Sequence, residues 1–175
     1  MPETKLVALP EFQELKSNDE YISMQPYKGE DNKSYIANLV RHNALTFCPY
    51  YFIEKSGKGS VVYFHPTSDL CGYKNIVHGG FITTMLDEAL AFGVFPNFPS
   101  KMGVTVQLDT TYVAPALCSH LYKIVTKTTK VEGRKCWTSG ELLRLNGSEP
   151  PVLCAKASGF FVEPSKLNLE HHVKK

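Results

Sequence analysis

Residues 75–88 read NIVHGGFITTMLDE, and this stretch decides the fold. It places His78, Gly79 and Gly80 directly before a run of apolar residues with helical spacing. From Gly79 to about Phe95 the apolar positions form two stripes that together cover most of the helix circumference, which is typical of a buried helix. The rest of the chain is therefore expected to wrap around this helix.

The segments on either side of this helix favour β-strands. Residues 45–66, LTFCPYYFIEKSGKGSVVYFHP, predict a hairpin with a flexible turn, and Pro49 suggests that its first strand lies at a sheet edge. Downstream segments rich in β-branched and aromatic residues are GVTVQLDTTYVAPA, SHLYKIVTKTTKV, WTSGELLRL and VLCAKASGFFV. Short turns between them favour antiparallel pairing. One long helix with an antiparallel sheet of five to six strands predicts an α+β fold.

The ends of the chain differ in character from this central part. Residues 1–43 are polar, with short helices predicted around 10–17 and 32–42, and we expect a helical extension or lid that is not a separate domain. The wrapped-helix domain is expected to span residues 44–162. A polar tail at 163–175 is expected to fray.

Composition excludes several classes of function. Nineteen basic and seventeen acidic residues give a net charge of +2 without a concentrated basic face, which argues against a nucleic-acid binder. No apolar run reaches the roughly 18 residues of a membrane span. The N-terminal sequence resembles neither a secretory signal nor a transit peptide, so we expect a cytoplasmic protein, with the mitochondrion left open. The five scattered cysteines are interpreted as reduced, mostly buried thiols, and no metal site is predicted.

Two adjacent acids, Asp87 and Glu88, lie in the middle of the apolar helix. On an ordinary amphipathic helix they would simply face solvent. Here the polar positions form only a narrow strip with Thr83 and Thr84, which a wrapped helix cannot fully expose. Carboxylates in such surroundings need a partner or a shifted pKa, and these groups concentrate at functional sites. Asp87 is therefore a candidate acid or base.

The start of the helix offers a second half-site. Its first N–H groups lack intrahelical partners and carry the positive end of the helix dipole. Gly79 and Gly80 leave room for a carbonyl oxygen to approach, which suits the oxyanion of thioester or ester hydrolysis, although His78 could merely cap the helix. Asp87 lies roughly 13 Å along the axis from His78, so one carbonyl cannot reach both. Two antiparallel helices across a two-fold axis would solve this, and a homodimer is expected.

The run HGGFITTMLDE is followed by T-x-x-L-x-x-x-Y-x-x-P, formed by Thr105, Leu108, Tyr112 and Pro115. Together they resemble the hotdog-fold thioesterase superfamily, and within it the PaaI-type branch that hydrolyses acyl-CoA. The resemblance covers roughly residues 44–162. It implies a central helix wrapped by an antiparallel sheet, a dimer or tetramer with a continuous sheet in each dimer, and hydrolysis of a fatty or aromatic acyl-CoA without a cofactor.

The resemblance also implies roles for individual residues. Asp87 would act as general base or nucleophile, the Gly79 N–H as the oxyanion donor, and His78 as the residue that positions the thioester. Thr105 would orient the attacking water. Substrate contacts are expected from residues beside this set, namely Asn75, Gly80, Phe92 in the acyl channel, and Lys101 toward the coenzyme A phosphates.

One departure from the family pattern leaves an alternative open. Many relatives carry Asn six residues before the HGG histidine, and this chain has Gly72 there. A non-catalytic acyl-CoA-binding module is therefore a second hypothesis, against which the intact Asp87 and Thr105 argue. Hydratases on the same fold use a loop Asp and a His five residues apart near an Asn-Pro pair. Here Asp69 lies nine residues before His78 with no intervening proline, so a hydratase is disfavoured.

Overall fold

The computed structural model describes residues 1–29 and 32–165, so most of the predicted tail lies outside the described residues. Its helices are Pro2–Val7 (α1), Pro10–Ser17 (α2), Tyr35–Arg41 (α3) and Gly79–Val94 (α4). Its strands are Tyr21–Met24 (β1), Tyr50–Glu54 (β2), Ser60–Phe64 (β3), Cys71–Tyr73 (β4), Ile76–Val77 (β5), Val104–Tyr112 (β6), Leu121–Glu132 (β7), Lys135–Asn146 (β8) and Glu149–Val162 (β9). The predicted α+β class is confirmed.

Seven strands form one antiparallel sheet in the order β1-β2-β3-β7-β8-β9-β6, and β4 and β5 form a small separate hairpin. The predicted hairpin over residues 45–66 is confirmed as β2 and β3. The sheet exceeds the predicted five to six strands because β1, from the N-terminal extension, pairs along β2. For the same reason the expected edge position of β2 is wrong.

The α4 helix packs against one face of this sheet and supplies the centre of the core. Its apolar stripes are buried as the spacing predicts, at Phe81, Ile82, Met85, Leu86, Ala89, Leu90 and Val94. Burying each such large side chain contributes about 1.5–3 kcal/mol relative to its exposure to water. The Ser60 hydroxyl donates to the Ala89 carbonyl at 2.8 Å, which ties the second half of α4 to β3.

The first two helices of the N-terminal extension cover the opposite face of the sheet. Leu6 of α1 and Phe12 of α2 are fully buried there against Phe52 and Tyr63 of the β2–β3 hairpin. The extension therefore contributes a strand to the sheet and two helices to a second apolar cluster. The division of the chain at residue 43 stays a prediction.

The cysteines depart from the expected five reduced thiols. Cys71 of β4 and Cys118, which precedes β7, form a disulfide across 47 residues of sequence. The scattered spacing gave no sign of this pair, because the fold alone brings the two segments together. Cys48, Cys136 and Cys154 are free and buried, as expected.

Candidate active site

His78 begins α4 as its N-cap residue, and its Nδ1 accepts a hydrogen bond from the Gly80 N–H at 2.9 Å. The capping interpretation of His78 is therefore right. When the ring is neutral, its remaining proton lies on Nε2. The Gly79 N–H, in the first turn, has no intrahelical carbonyl to bind. Because His78 occupies the Gly80 N–H, Gly79 is the donor left for a substrate oxygen, and the predicted substrate contact of Gly80 stays a prediction.

Tyr112, at the end of β6, fixes this first turn. Its hydroxyl donates to the Gly79 carbonyl at 2.8 Å and lies 2.8 Å from the Thr83 hydroxyl. A Cβ atom on Gly79 would stand only 3.0 Å from the Tyr112 oxygen, so a side chain at residue 79 would press on the Tyr112 hydroxyl. The sequence signalled Tyr112 only as a motif position, without a role. Its contacts make it a positioning residue for the helix start.

The β4–β5 hairpin holds His78 in place from the other side. The His78 N–H donates to the Leu70 carbonyl at 2.7 Å, and the Cys118 N–H donates to the Asn75 carbonyl at 2.8 Å. Asn75 has a φ of 60°, a left-handed conformation in which Asn is favoured, and its side chain is exposed. This conformation gives a backbone reason for Asn75, and its predicted contact with substrate stays a prediction.

Gly72, the departure from the family pattern, lies directly against His78. A Cβ atom on Gly72 would approach the His78 Cδ2 atom to 3.0 Å. That distance is tighter than ordinary van der Waals contact, so a side chain at residue 72 would press on the imidazole ring. His78 can therefore keep its present position only if residue 72 has no side chain or if the ring shifts slightly.

The carboxylate half of the site is formed by Asp87 and Thr105. Thr105 is the second residue of β6, and its hydroxyl donates to Asp87 Oδ1 at 2.9 Å. Burial raises the pKa of Asp87, and the hydrogen bond from Thr105 opposes that rise. A threonine hydroxyl that donates its only proton to a hydrogen bond with Asp87 keeps two lone pairs with which to accept a hydrogen bond from water. Asp87 and Thr105 can thus bind one water between them.

Glu88 points to another side of the helix. Its carboxylate accepts a hydrogen bond from the Tyr27 hydroxyl, which belongs to the N-terminal extension. Burial raises the pKa of Glu88 as well. The sequence carried no signal for this contact, because 61 residues separate the two side chains.

The remaining predicted substrate contacts lie beyond Asp87 along the chain. Phe92 is half-buried on α4, with its ring 4.8 Å from the Tyr51 ring. Lys101 is exposed in the turn before β6, and its Nζ donates to the Pro96 carbonyl at 2.9 Å. The roles of Phe92 and Lys101 stay predictions.

An apolar groove of about 380 Å³ opens beside the helix start. It is lined by Ile76, Val77, Gly79, Ile82, Tyr112, Val113, Ala114, Pro115 and Ala116. A larger cavity of about 670 Å³ lies between the first two helices and the sheet, lined in part by Lys5, Leu9 and His65. Only the groove adjoins Gly79, so the groove is the candidate binding surface despite its smaller volume.

Two half-sites therefore exist in one chain, and α4 keeps them apart. Eight residues from Gly79 to Asp87 correspond to about 12 Å along the helix axis. Within residues 1–29 and 32–165, no group of three or more His, Cys, Asp or Glu side chains is arranged to hold a metal ion. In that same part of the chain, no helix is both long and apolar enough to cross a bilayer.

The family model of the thioesterase superfamily matches residues 74–150, which include the helix start, α4 and the strands β6, β7 and β8. Two solved structures share the fold. A hypothetical thioesterase of Streptococcus pneumoniae with coenzyme A has a TM-score of 0.53 and 18% identity, covering 60% of this chain and 80% of that one. A mutant of the phenylacetic acid degradation protein PaaI of Thermus thermophilus has a TM-score of 0.54 and 18% identity, covering 62% and 86%. At such identities the likeness establishes the fold alone.

Three curated relatives match over much of the chain. A UPF0644 protein of Schizosaccharomyces pombe is 28% identical over 98% of this chain and 68% of its own length. An uncharacterized mitochondrial protein of Candida albicans is 29% identical over 82% and 66%. The acyl-coenzyme A thioesterase THEM4 of Xenopus laevis is 26% identical over 79% and 60%. The chain thus spans about two thirds or less of the length of these relatives.

Proposed function

We propose that the chain is a hotdog-fold thioesterase, as the match of the thioesterase superfamily model to residues 74–150 and the shared fold support, and that it hydrolyses the thioester of a fatty or aromatic acyl-CoA. The observation that carries the proposal is the hydrogen bond between Thr105 and Asp87 at 2.9 Å on the half-buried polar strip of α4. The start of the same helix leaves the Gly79 N–H without an intrahelical partner. A base that can bind water and an oxyanion donor are the two parts that acyl transfer to water requires.

The reaction follows from these two parts. The thioester oxygen accepts a hydrogen bond from the Gly79 N–H of a second copy of the chain, with the His78 Nε2–H of that copy beside it. A water held between Asp87 and Thr105 attacks the carbonyl carbon and passes one proton to Asp87. The tetrahedral oxyanion collapses with cleavage of the carbon–sulfur bond, and the proton on Asp87 passes to the sulfur of coenzyme A. Acyl-CoA and water thus give the free acid and the thiol.

Asp87 fits the role of base better than that of nucleophile in this arrangement. Thr105 donates to Oδ1, so its lone pairs face outward as an acceptor for one water proton. The second water proton then points toward the Asp87 carboxylate. Direct attack by the carboxylate would instead require Asp87 to give up the Thr105 bond or to use its other oxygen.

We further propose that each site combines two chains. Within the described residues, β6 pairs with β9 on one side only, and its outer edge has no partner strand. Val104 and Val106 of this nine-residue edge are 49% and 57% exposed, an arrangement that favours pairing with another strand. Because Thr105 lies on the same strand, pairing of two β6 edges would bring a second α4 toward Asp87.

The names of two similar proteins support the substrate class. The Xenopus laevis relative is named an acyl-coenzyme A thioesterase, and the Streptococcus pneumoniae structure holds coenzyme A. This chain has the apolar groove beside Gly79 in which the pantetheine or acyl part of such a substrate could lie.

A non-catalytic acyl-CoA-binding module is the second candidate. Gly72 favours it, because the contact that an Asn side chain would make in that corner is missing beside His78. The two candidate functions are distinguished by incubating the chain with a panel of acyl-CoAs and detecting any released thiol with a thiol reagent. Turnover supports the thioesterase, and saturable binding of acyl-CoA without thiol release supports the binding module.

The compartment is also a proposal. The Candida albicans relative is named a mitochondrial protein, and on that likeness we propose the mitochondrion in place of the cytoplasm. Fractionation of cells that express the chain with its natural flanking sequence would test this. Recovery in the cytosolic fraction alone would contradict it.

A further inference from the structure

The groove beside Gly79 is lined by two segments that are distant in sequence. One wall is β5, with Ile76 and Val77, and the other is the stretch 112–116 at the end of β6. The Val77 N–H donates to the Ala116 carbonyl at 2.8 Å, so the two walls meet along the main chain. The shape of the groove therefore depends on how β5 is held against residues 112–116.

The hairpin that carries β5 has little packing of its own. β4 has three residues and β5 has two, and Val77 is the one buried side chain among these five. An isolated two-stranded hairpin is at best marginally stable in water. This hairpin is held in place instead by main-chain hydrogen bonds to residues 116–118 and by the Cys71–Cys118 disulfide.

The disulfide joins the two groove walls covalently. Cys71, the first residue of β4, pairs with Val77 across the hairpin, and Cys118 lies two residues after Ala116. The Cα atoms of the two cysteines are 6.5 Å apart, and the bond links positions separated by 47 residues of sequence. The disulfide therefore fastens one end of the groove.

The backbone around Cys71 also reaches the helix start. The Leu70 carbonyl, just before Cys71, accepts the His78 N–H at 2.7 Å. Just after Cys71, a Cβ atom on Gly72 would stand 3.0 Å from the His78 Cδ2 atom, so the Gly72 backbone lies against the ring. A displacement of Cys71 is thus passed to His78 from both of its neighbours, and from His78 to the Gly79 N–H that follows.

We infer that the Cys71–Cys118 disulfide positions the groove wall and the helix start, and that its reduction by a dithiol lowers the proposed thioesterase activity. This inference rests on the proposed function. It gives the hairpin a regulatory role, because the redox state of one bond then sets the geometry around His78 and Gly79.

The exchange proceeds in two balanced steps. Cys71 is half-buried and Cys118 is 6% exposed, so a reductant reaches the bond at Cys71. A thiolate of the dithiol attacks the Cys71 sulfur, the bond between the cysteines breaks, and Cys118 leaves as a thiolate that takes up a proton. The second thiol of the reductant then displaces Cys71 from the mixed disulfide. The dithiol is oxidised to its own disulfide, and the chain gains two thiols.

The test compares the oxidised chain with chain that has been reduced by a dithiol and separated from it by gel filtration. Alkylation and peptide mass spectrometry measure the fraction that keeps the Cys71–Cys118 bond. Hydrolysis is followed by the loss of thioester absorbance, since a thiol reagent would also react with the new cysteines. We expect kcat/KM to fall about tenfold as the bond is lost and to return on reoxidation, because a misplacement of about 1 Å can cost up to 10²-fold.

Cys71→Ser and Cys118→Ser should each reproduce the reduced state. Both should show the lower kcat/KM, and neither should respond to the dithiol. Either variant serves if the other does not fold, and the reduced unchanged chain gives the same comparison without a substitution. Cys48→Ser, at a free buried cysteine before β2, is the matched control and should keep the full response.

Amide hydrogen exchange gives a readout that does not require turnover. Reduction should speed exchange at the Val77 and His78 N–H groups, which bind the Ala116 and Leu70 carbonyls. Unchanged exchange and unchanged kcat/KM after the bond is broken would overturn the inference and leave the thioesterase proposal intact. Absence of the bond from chain purified without reductant would do the same. If the oxidised chain hydrolyses no acyl-CoA, the proposed function fails, and exchange alone decides whether the disulfide positions the helix start.

Discussion

At the scale of single residues, the neighbouring acids Asp87 and Glu88 on α4 lie in different surroundings. Asp87 accepts from the Thr105 hydroxyl of β6, and Glu88 accepts from the Tyr27 hydroxyl of the extension. Burial raises the pKa of both carboxyls, and the hydrogen bond from Thr105 opposes the rise at Asp87. What distinguishes the two acids is the donor, because Thr105 lies on the edge strand β6 and Tyr27 lies in the N-terminal extension.

Replacement of Asp87 by Asn should remove activity without unfolding the chain. The amide has the same size as the carboxylate and still accepts from Thr105, but it cannot accept a proton from water. We expect kcat to fall by about 10² or more. Asp69→Asn, at an exposed acid in the loop before β4, is the matched control. Near-normal hydrolysis by Asp87→Asn together with its loss in Glu88→Gln would show that the assignment is off by one residue.

Replacement of Thr105 by Val should change both the rate and its dependence on pH. The Thr105 hydrogen bond lowers the pKa of Asp87, so its loss raises that pKa further. A base works only when deprotonated, so activity disappears as pH falls through its pKa. The acid limb of the kcat/KM profile should therefore move to higher pH, and kcat should fall about tenfold or more, the effect of one hydrogen bond to a charged group.

Thr105→Ser, which keeps the hydroxyl, should restore both the rate and the acid limb. A change in KM alone, with kcat and the position of the acid limb unchanged, would instead assign Thr105 to the wall of the acyl site.

At the scale of elements, the chemistry depends on where α4 begins. The helix starts at Gly79 because His78 caps it and Tyr112 binds its first turn from β6. The β4–β5 hairpin and its disulfide fix the backbone that leads into His78. The Gly79 N–H, the proposed oxyanion donor, is thus positioned by three separate segments of the chain.

Tyr112→Phe should test this positioning. The variant keeps the ring and loses the hydrogen bonds to Gly79 and Thr83. We expect kcat to fall, because the Gly79 N–H is less well oriented, and the free energy of unfolding to fall by about 1 kcal/mol. Denaturant unfolding and steady-state kinetics measure the two effects, with Tyr35→Phe at an exposed tyrosine as control. Loss of stability with unchanged kcat would show that Tyr112 has no part in orienting the donor.

The elements also show which parts of the fold a sequence can predict. α4 was predicted from Gly79 to about Phe95, and in the structure it ends at Val94. The prediction is close because the spacing of the apolar residues in this helix reflects which of its faces are buried. β1 was missed because its four residues, YISM, show no alternation between apolar and polar residues. Its pairing with β2 stabilises it, and that partner lies some 30 residues further along the chain.

The candidate site likewise contains residues that the sequence predicts and contacts that it does not. Asp87, His78 and Gly79 follow from local spacing on one helix, and Thr105 from a motif shared with a known family. The contact between Tyr27 and Glu88 and the pair Cys71–Cys118 join segments distant in sequence. Nothing local in the sequence marks such pairs, because only the packed sheet brings them together.

At the scale of the whole molecule, the described part of the chain presents two candidate half-sites and a sheet that ends in unpaired edges at β1 and β6. The proposed Gly79 donor and the proposed Asp87 base lie about 12 Å apart along the same helix, too far to act on one carbonyl. Among the described strands, β6 at one end of the sheet has an unpaired edge with exposed valines, and it carries Thr105. Pairing two copies through this edge would set the two helices side by side, so that each lends its start to the other's Asp87.

Mixing two inactive variants tests this claim most directly. His78→Ala disrupts the helix start and Asp87→Asn removes the base, so each variant alone should be nearly inactive after refolding. Unfolded together in equal amounts and refolded, they should give about half mixed dimers, each with one site that combines an intact His78 and an intact Asp87. Thiol release should then recover to about a quarter of that of the unchanged chain. Absence of any recovery in a refolded mixture that contains mixed dimers would contradict a site shared between two chains.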